Sequence, residues 1–163
     1  MPEAGRVVVV NTTPIIALSA VQQLDLLRHL YGEVVIPEAV RSEVLAGRKR
    51  VGAGELMERP WIRTLAVRDP GRADLLSDLD RGEAEVIALA QELQAGLVIL
   101  DERLARRHAE RLGLTLTGTM GVLLKAKAAG LIPQVTPLIA QIRAAGVHLG
   151  QALVRRVLEL AGE

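Results

Sequence analysis

Apolar and polar residues follow one another along this chain in short blocks, and the blocks change period repeatedly. Residues 6–10 hold four consecutive valines, Val7 to Val10, and predict a buried strand. Asn11 ends that run, Thr12 or Thr13 can cap a helix, and Pro14 suits its first turn. Leu18, Val21, Leu24, Leu27 and Leu30 then recur at helical spacing until Gly32 breaks the pattern. Glu33 to Ile36 predicts a second strand. Pro37 opens a helix that runs to about Ala46 and stops at Gly47. Residues 47–54 read as a loop, with Gly47, Gly52, Gly54 and the basic run Arg48-Lys49-Arg50, and a helical turn over 55–58 follows. Trp61 to Val67 predicts a third strand, Asp69-Pro70-Gly71 a turn, and residues 72–79 are polar without a clear period. The best-marked helix runs from about Arg81 to Leu93, its start signalled by Asp80 and Glu83 in the spacing of a capping box. Leu97 to Leu100 predicts a strand that stops at Asp101. A helix over 102–112, a short strand over 114–117 and a helix over 120–129 come next, closed by Gly130. Two helices, at about 137–145 and 150–161, complete the pattern.

Strands that alternate with helices call for a parallel sheet covered on both faces, so the expected class is α/β. No repeat, low-complexity stretch or linker divides the chain, and 163 residues suit one domain over 1–163. Ligands of open parallel sheets bind beyond the carboxyl ends of the strands. Asn11 and Asp101 emerge at that edge. Glu83 lies in the first turn of the helix leading into the Asp101 strand, and Glu43 borders the apolar face of the helix after the second strand. Carboxylates grouped without cysteine suit a hard cation such as Mg2+ or Mn2+, which can activate water for in-line displacement at phosphorus. Each residue also has a simpler reading. Glu83 can serve as a capping-box acid, Asp101 as the N-cap of its own following helix, Asn11 and Thr12 as turn residues, and Glu43 as a solvated side chain. Their order along the chain is what favours a shared site.

Composition narrows the classes. The chain has no Phe, one Trp and one Tyr, so stacking on aromatic rings is not how it would hold bases. Twenty basic and nineteen acidic residues leave a net charge of +1, so any attraction to nucleic acid must come from a local patch. The absence of cysteine excludes disulfides, thiolate metal sites and thiol nucleophiles, and fits an intracellular protein. No apolar run approaches the length of a membrane span, and residues 1–5 lack the features of a signal peptide, so a soluble cytoplasmic protein is expected. The three histidines, His29, His108 and His148, are scattered, and nothing marks one as a general base.

Four stretches together carry a family resemblance: VVVNTTPIIAL (8–18), YGEVVIPEAVRSEVLAG (31–47), GEAEVIALAQELQAGLVILDERLARRHAERLGL (82–114) and TGTMGVLLKAKAAGLIP (117–133). In these the chain resembles PIN-domain proteins, in particular the PIN-like, VapC-toxin-related branch long described as a prokaryotic domain of unknown function. The resemblance implies a three-layer α/β/α sandwich with a central, mainly parallel sheet, and metal-dependent endoribonuclease activity. It also implies a homodimer and, for toxins of the VapC type, a small antitoxin protein as partner. Carried over by residue, the first-strand acid of the family falls on Asn11, the helix glutamate on Glu43, the acid opening the central helix on Glu83, and the strand-end acid on Asp101. The further acid often found after the last strand has no match, for that place holds Thr117, Gly118 and Thr119. Asn11 offers a neutral oxygen where a charge is usual, which should weaken divalent binding.

The expected site therefore has Glu43, Glu83 and Asp101 holding Mg2+ or Mn2+, with Asn11 orienting a bound water. Thr12 or Thr119 would meet a ligand or a phosphate oxygen, and the turn at Thr117–Gly121 could turn backbone N–H groups towards an anion. Arg103, Arg106 and Arg107, or Arg48 to Arg50, would contact RNA phosphates. A second reading is a catalytically weakened PIN-like module that binds nucleic acid or a protein. A phosphatase or receiver-like protein is a third, for which the N-terminal acidic pair and late lysine of a receiver are missing. A dinucleotide site lacks its GxGxxG. Apolar helices around 15–30 and 120–140 favour self-association.

Overall fold

The computed structural model describes residues 6–47 and 53–163, so Met1–Gly5 and the basic run Arg48-Lys49-Arg50 lie outside the described residues. The valine run forms strand β1 (Val8–Val10), followed by helices α1 (Thr12–Ala20) and α2 (Leu26–Tyr31). Strand β2 (Val34–Pro37) leads into α3 (Glu38–Ala46), and after α4 (Ala53–Met57) comes β3 (Ile62–Leu65). A short α5 (Pro70–Asp74) precedes the long α6 (Arg81–Glu92), which returns the chain to β4 (Leu97–Ile99). The remaining elements are α7 (Arg103–Arg111), β5 (Leu116–Thr117), α8 (Thr119–Ala128), α9 (Thr136–Ala144) and α10 (Gln151–Ala161).

The five strands described make one sheet in the order β3-β2-β1-β4-β5, and every pairing is parallel. Val9 faces Val35 on one side and Val98 on the other. Central strands buried on both faces must be apolar throughout, which is why β1 and β4 read as unbroken Val, Leu and Ile rather than as an alternating pattern. Helix α6 packs on β1, β2 and β4 and between α3 and α7, while α8 packs on β5 and against α1, α2 and α10. These helices give the α/β/α sandwich its outer layers. No helix among the described residues is long and apolar enough to cross a membrane.

The order of the strands positions the site. From β1 the chain builds outwards through β2 to β3, then crosses back to place β4 on the other side of β1. The gap between β1 and β4 is thus the topological switch point, the place where helices leave the sheet in opposite directions and open a crevice. Asn11 and Asp101 stand at its two lips, since Val10 pairs with Ile99 and the Asn11 N–H donates to the Ile99 carbonyl at 3.0 Å.

Three local features differ from the sequence expectations. The apolar spacing over 15–30 belongs to two helices, because Val21 ends α1 and Gln22 takes the left-handed conformation at φ 57°. Pro37 is the last residue of β2 and the N-cap of α3, rather than a helical residue. The turn at Asp69-Pro70-Gly71 opens into α5, with the Asp69 carboxylate accepting the Gly71 N–H at 3.1 Å.

A candidate active site at the carboxyl edge of the sheet

Asp101 does not cap the helix that follows it. Glu102 is the N-cap residue of α7, and its side chain makes no capping bond. The Asp101 carboxylate turns instead to α8, which begins after β5. Its Oδ1 accepts the backbone N–H of Thr119 at 2.8 Å, and its Oδ2 accepts the Thr119 hydroxyl at 2.7 Å. The anion expected near the Thr117–Gly121 turn is therefore a side chain of the protein itself, at a helix N-terminus where unpaired N–H groups favour negative charge. Beside it, Arg106 Nη1 donates to the Leu100 carbonyl at 2.7 Å.

Glu43 reaches the same edge from α3. Its Oε2 accepts the Thr12 hydroxyl at 2.6 Å, which ties α3 to the start of α1. Its carboxylate also lies against Gly82, where a Cβ would stand 2.4 Å from Oε1. Glu83, the next residue, closes the capping box of α6: the Asp80 carboxylate accepts the Glu83 N–H at 2.8 Å, and Glu83 Oε1 accepts the Asp80 N–H at 3.2 Å. Burial pushes the Glu83 carboxyl above the usual carboxylate range. The Asp80 N–H works against the shift, and the charges of Asp80, Glu102 and Glu43 add to it. Glu102 thus belongs to this acidic neighbourhood, although the sequence reading passed over it; its signal was its place directly after the strand-end Asp101.

Asn11 follows β1 directly and is 3% exposed. It is the N-cap residue of α1, in place of Thr12 or Thr13, yet its side chain makes no capping bond. Its Oδ1 is buried without a hydrogen-bond partner. An orphan buried acceptor costs about 1–3 kcal/mol, and a cation or water would satisfy it.

A groove of about 1410 Å3 opens from Asp101. Asp101, Glu102, Arg103, Arg106 and Arg107 line its polar end; Ile16, Leu116, Leu124, Leu153 and Leu160 line its apolar stretch. Arg103 and Arg107 are exposed on α7. Thr12 and Thr119 already hold Glu43 and Asp101, so neither hydroxyl proton is free for a ligand. His108 is turned elsewhere: its Nε2 meets Asp78 Oδ2 at 2.9 Å, and that bond holds Asp78 below the usual carboxylate range.

The donors at this edge are all oxygens, the chemistry that suits Mg2+ or Mn2+. Among the described residues no three His, Cys, Asp or Glu side chains gather into a cage. Mg2+ does not need one, because it keeps several waters and is commonly held by one or two carboxylates. The residues present fit such an ion in kind.

No curated protein matches the chain. A family model described as DUF3368, a PIN domain, matches residues 7–163, a span that includes every strand and helix described above. With its all-parallel sheet and its acids at the switch-point edge, the chain belongs to the DUF3368 family of PIN domains.

Proposed function

We propose that this protein is an endoribonuclease that hydrolyses RNA phosphodiesters at the β1–β4 edge with the help of Mg2+ or Mn2+. PIN domains are generally nucleases. The observation that carries the finer reading is the buried, partnerless Asn11 Oδ1 at an edge where Glu43 and Glu102 bear on a desolvated Glu83. One or two of Asp101, Glu43 and Glu83 would hold the cation, the remainder acting through its waters, with Asn11 orienting one of these waters. When bound, the ion supplies a lowered pKa for water and an offset for phosphate charge.

The chain's own groups supply the rest. Asp101 stays oriented by the start of α8. Arg103 and Arg107 flank the polar end of the groove and would receive the phosphates of an entering strand. The toxin role, with a small antitoxin as partner and a homodimer as the assembled form, extends this proposal. It is supported by the sequence resemblance and by the apolar stretch of the groove. A second reading, a module that binds RNA without cutting it, is favoured by one observation: a neutral Asn11 stands at the central strand end.

One experiment separates the two. Wild type and Asp101→Asn are incubated with single-stranded and structured RNA in Mg2+, Mn2+ or EDTA. The enzyme reading expects cation-dependent cleavage that falls about 100-fold or more in the variant, beyond the loss typical of outer-shell partners. RNA binding that persists in EDTA with no cleavage would establish the binding module. Cleavage equal in both proteins and indifferent to EDTA would sink the assignment.

A further inference from the structure

We infer that Thr119 is the positioning residue of Asp101, and that position 118 is glycine so that this clamp can close. The inference rests on the proposed cation site and assigns Thr119 a role other than substrate contact. Thr119 is 2% exposed, and although it borders the groove its donors are already spent and not free for a strand lying there. Its two donors go to two different oxygens of one carboxylate, at 2.8 and 2.7 Å. A carboxylate held at one oxygen can swing about its last torsion; held at both, it has a single orientation. Both bonds have an ionised acceptor and are of the stronger kind.

The surroundings are built to the same end. A Cβ on residue 118 would stand 2.6 Å from Asp101 Oδ1 and 3.3 Å from Arg106 Nη1, so any side chain there would push the carboxylate off the helix start. The strand ends that carry the two residues are locked together, because the Leu100 N–H donates to the Thr117 carbonyl at 2.9 Å. Thr119 is the first residue of a ten-residue helix, whose N-terminal partial charge also favours the anion. Asp101 is thus set in place before any cation arrives, and the cost of orienting it is met by folding. The hydroxyl of Thr119 adds no charge to the site; it fixes the direction of the charge already there.

The test uses Thr119→Val, which keeps shape and backbone N–H but removes the hydroxyl, and Thr119→Ser, which restores it. Mn2+ binding is measured by electron paramagnetic resonance, melting temperature by calorimetry, and the Asp101 conformer by crystallography of the metal-free proteins. The valine variant should bind Mn2+ about 10-fold more weakly, with its Asp101 carboxylate turned from α8, and the serine variant should recover both. Wild-type affinity with an unmoved Asp101 in the valine variant would overturn the inference, as would a serine variant no better than valine. If wild type binds no Mn2+, the cation reading fails and the crystallographic comparison alone decides the positioning role. Should Thr119→Val not fold, Gly118→Ala displaces the same carboxylate and is read in the same way, an unmoved Asp101 overturning the inference.

Discussion

Gly82 has no side chain, yet it decides where the Glu43 carboxylate can stand. An added Cβ would lie 2.4 Å from Oε1, a separation that no packed pair of atoms tolerates. The obstructed group is the end of a flexible, exposed side chain, so it can swing away cheaply. Alanine also favours a helix over glycine by up to about 1 kcal/mol. Gly82→Ala should therefore melt no lower than wild type while its Mn2+-dependent cleavage falls about 10-fold, because Glu43 leaves Thr12 and the acidic edge. Cleavage at the wild-type rate would show that the present place of Glu43 is irrelevant to the reaction. This residue also shows what the sequence could carry. Asp101 and Glu83 were legible because one follows an apolar strand and the other opens a helix, and Glu43 because it borders an apolar helix face. Gly82 and Gly118 were not, since their contribution is an absence of volume against a residue distant in sequence. The partners of Asp101 were hidden for a related reason. A carboxylate ahead of a helix suggests a cap for that helix, and only the folded sheet brings α8 closer than α7.

Helix ends tell the same story at the next scale. The break after α1 was hidden because glutamine fills the left-handed position where glycine is usual, Gln22 at φ 57°; Gln94 at φ 51° does the same after α6, an end that the helical pattern up to Leu93 had marked. In both, the next N–H reaches back five residues, Gln23 to Leu18 at 2.8 Å and Ala95 to Ala90 at 2.9 Å, so the helix is sealed by backbone alone. Another end is sealed by Glu163. Its carboxylate accepts Lys127 Nζ at 2.8 Å, the Thr136 hydroxyl at 2.5 Å and the Val135 and Thr136 N–H groups at 2.9 and 3.1 Å. One side chain, only 9% exposed, thus joins α8, the start of α9 and the end of α10. Lys127 first, then the Thr136 hydroxyl and the Val135 N–H, lower its pKa from 4.5 to about 2. A carboxylate whose pKa is lowered by folding stabilises the fold above its unfolded value, and that gain is lost as pH falls through the folded one. Glu163→Gln should thus melt below wild type at neutral pH, with the gap narrowing from 4.5 downwards and closing near 2. A gap independent of pH in calorimetric scans would mean that shape, not charge, holds the three helices together.

For the molecule as a whole, alternating strands and helices were enough to predict a parallel sandwich, because both faces of the central strands are buried and period and composition say so directly. The order β3-β2-β1-β4-β5 was beyond that reading, since pairing is chosen by contacts across the whole chain. It is this order that puts Asn11 beside Asp101, at the edge from which the groove opens. The overall charge of +1 gives no long-range pull, so on the proposed function affinity for RNA must come from a local patch, and the groove offers one. Among its arginines the roles divide. Arg106 is spent on the Leu100 carbonyl, whereas Arg103 and Arg107 stand exposed on the same helix. Each phosphate neutralised on a single strand steepens the salt dependence of binding by about 0.7 in log–log slope. Replacing both Arg103 and Arg107 by Gln should therefore flatten that slope by about 1.4, weaken binding at low salt, and leave the preference among RNA sequences unchanged. Fluorescence anisotropy across a salt series checks this, with Asp101→Asn as the background so that no RNA is cut. An unchanged slope would remove the α7 arginines from the path of the substrate and move the search for phosphate contacts to the basic run Arg48-Lys49-Arg50.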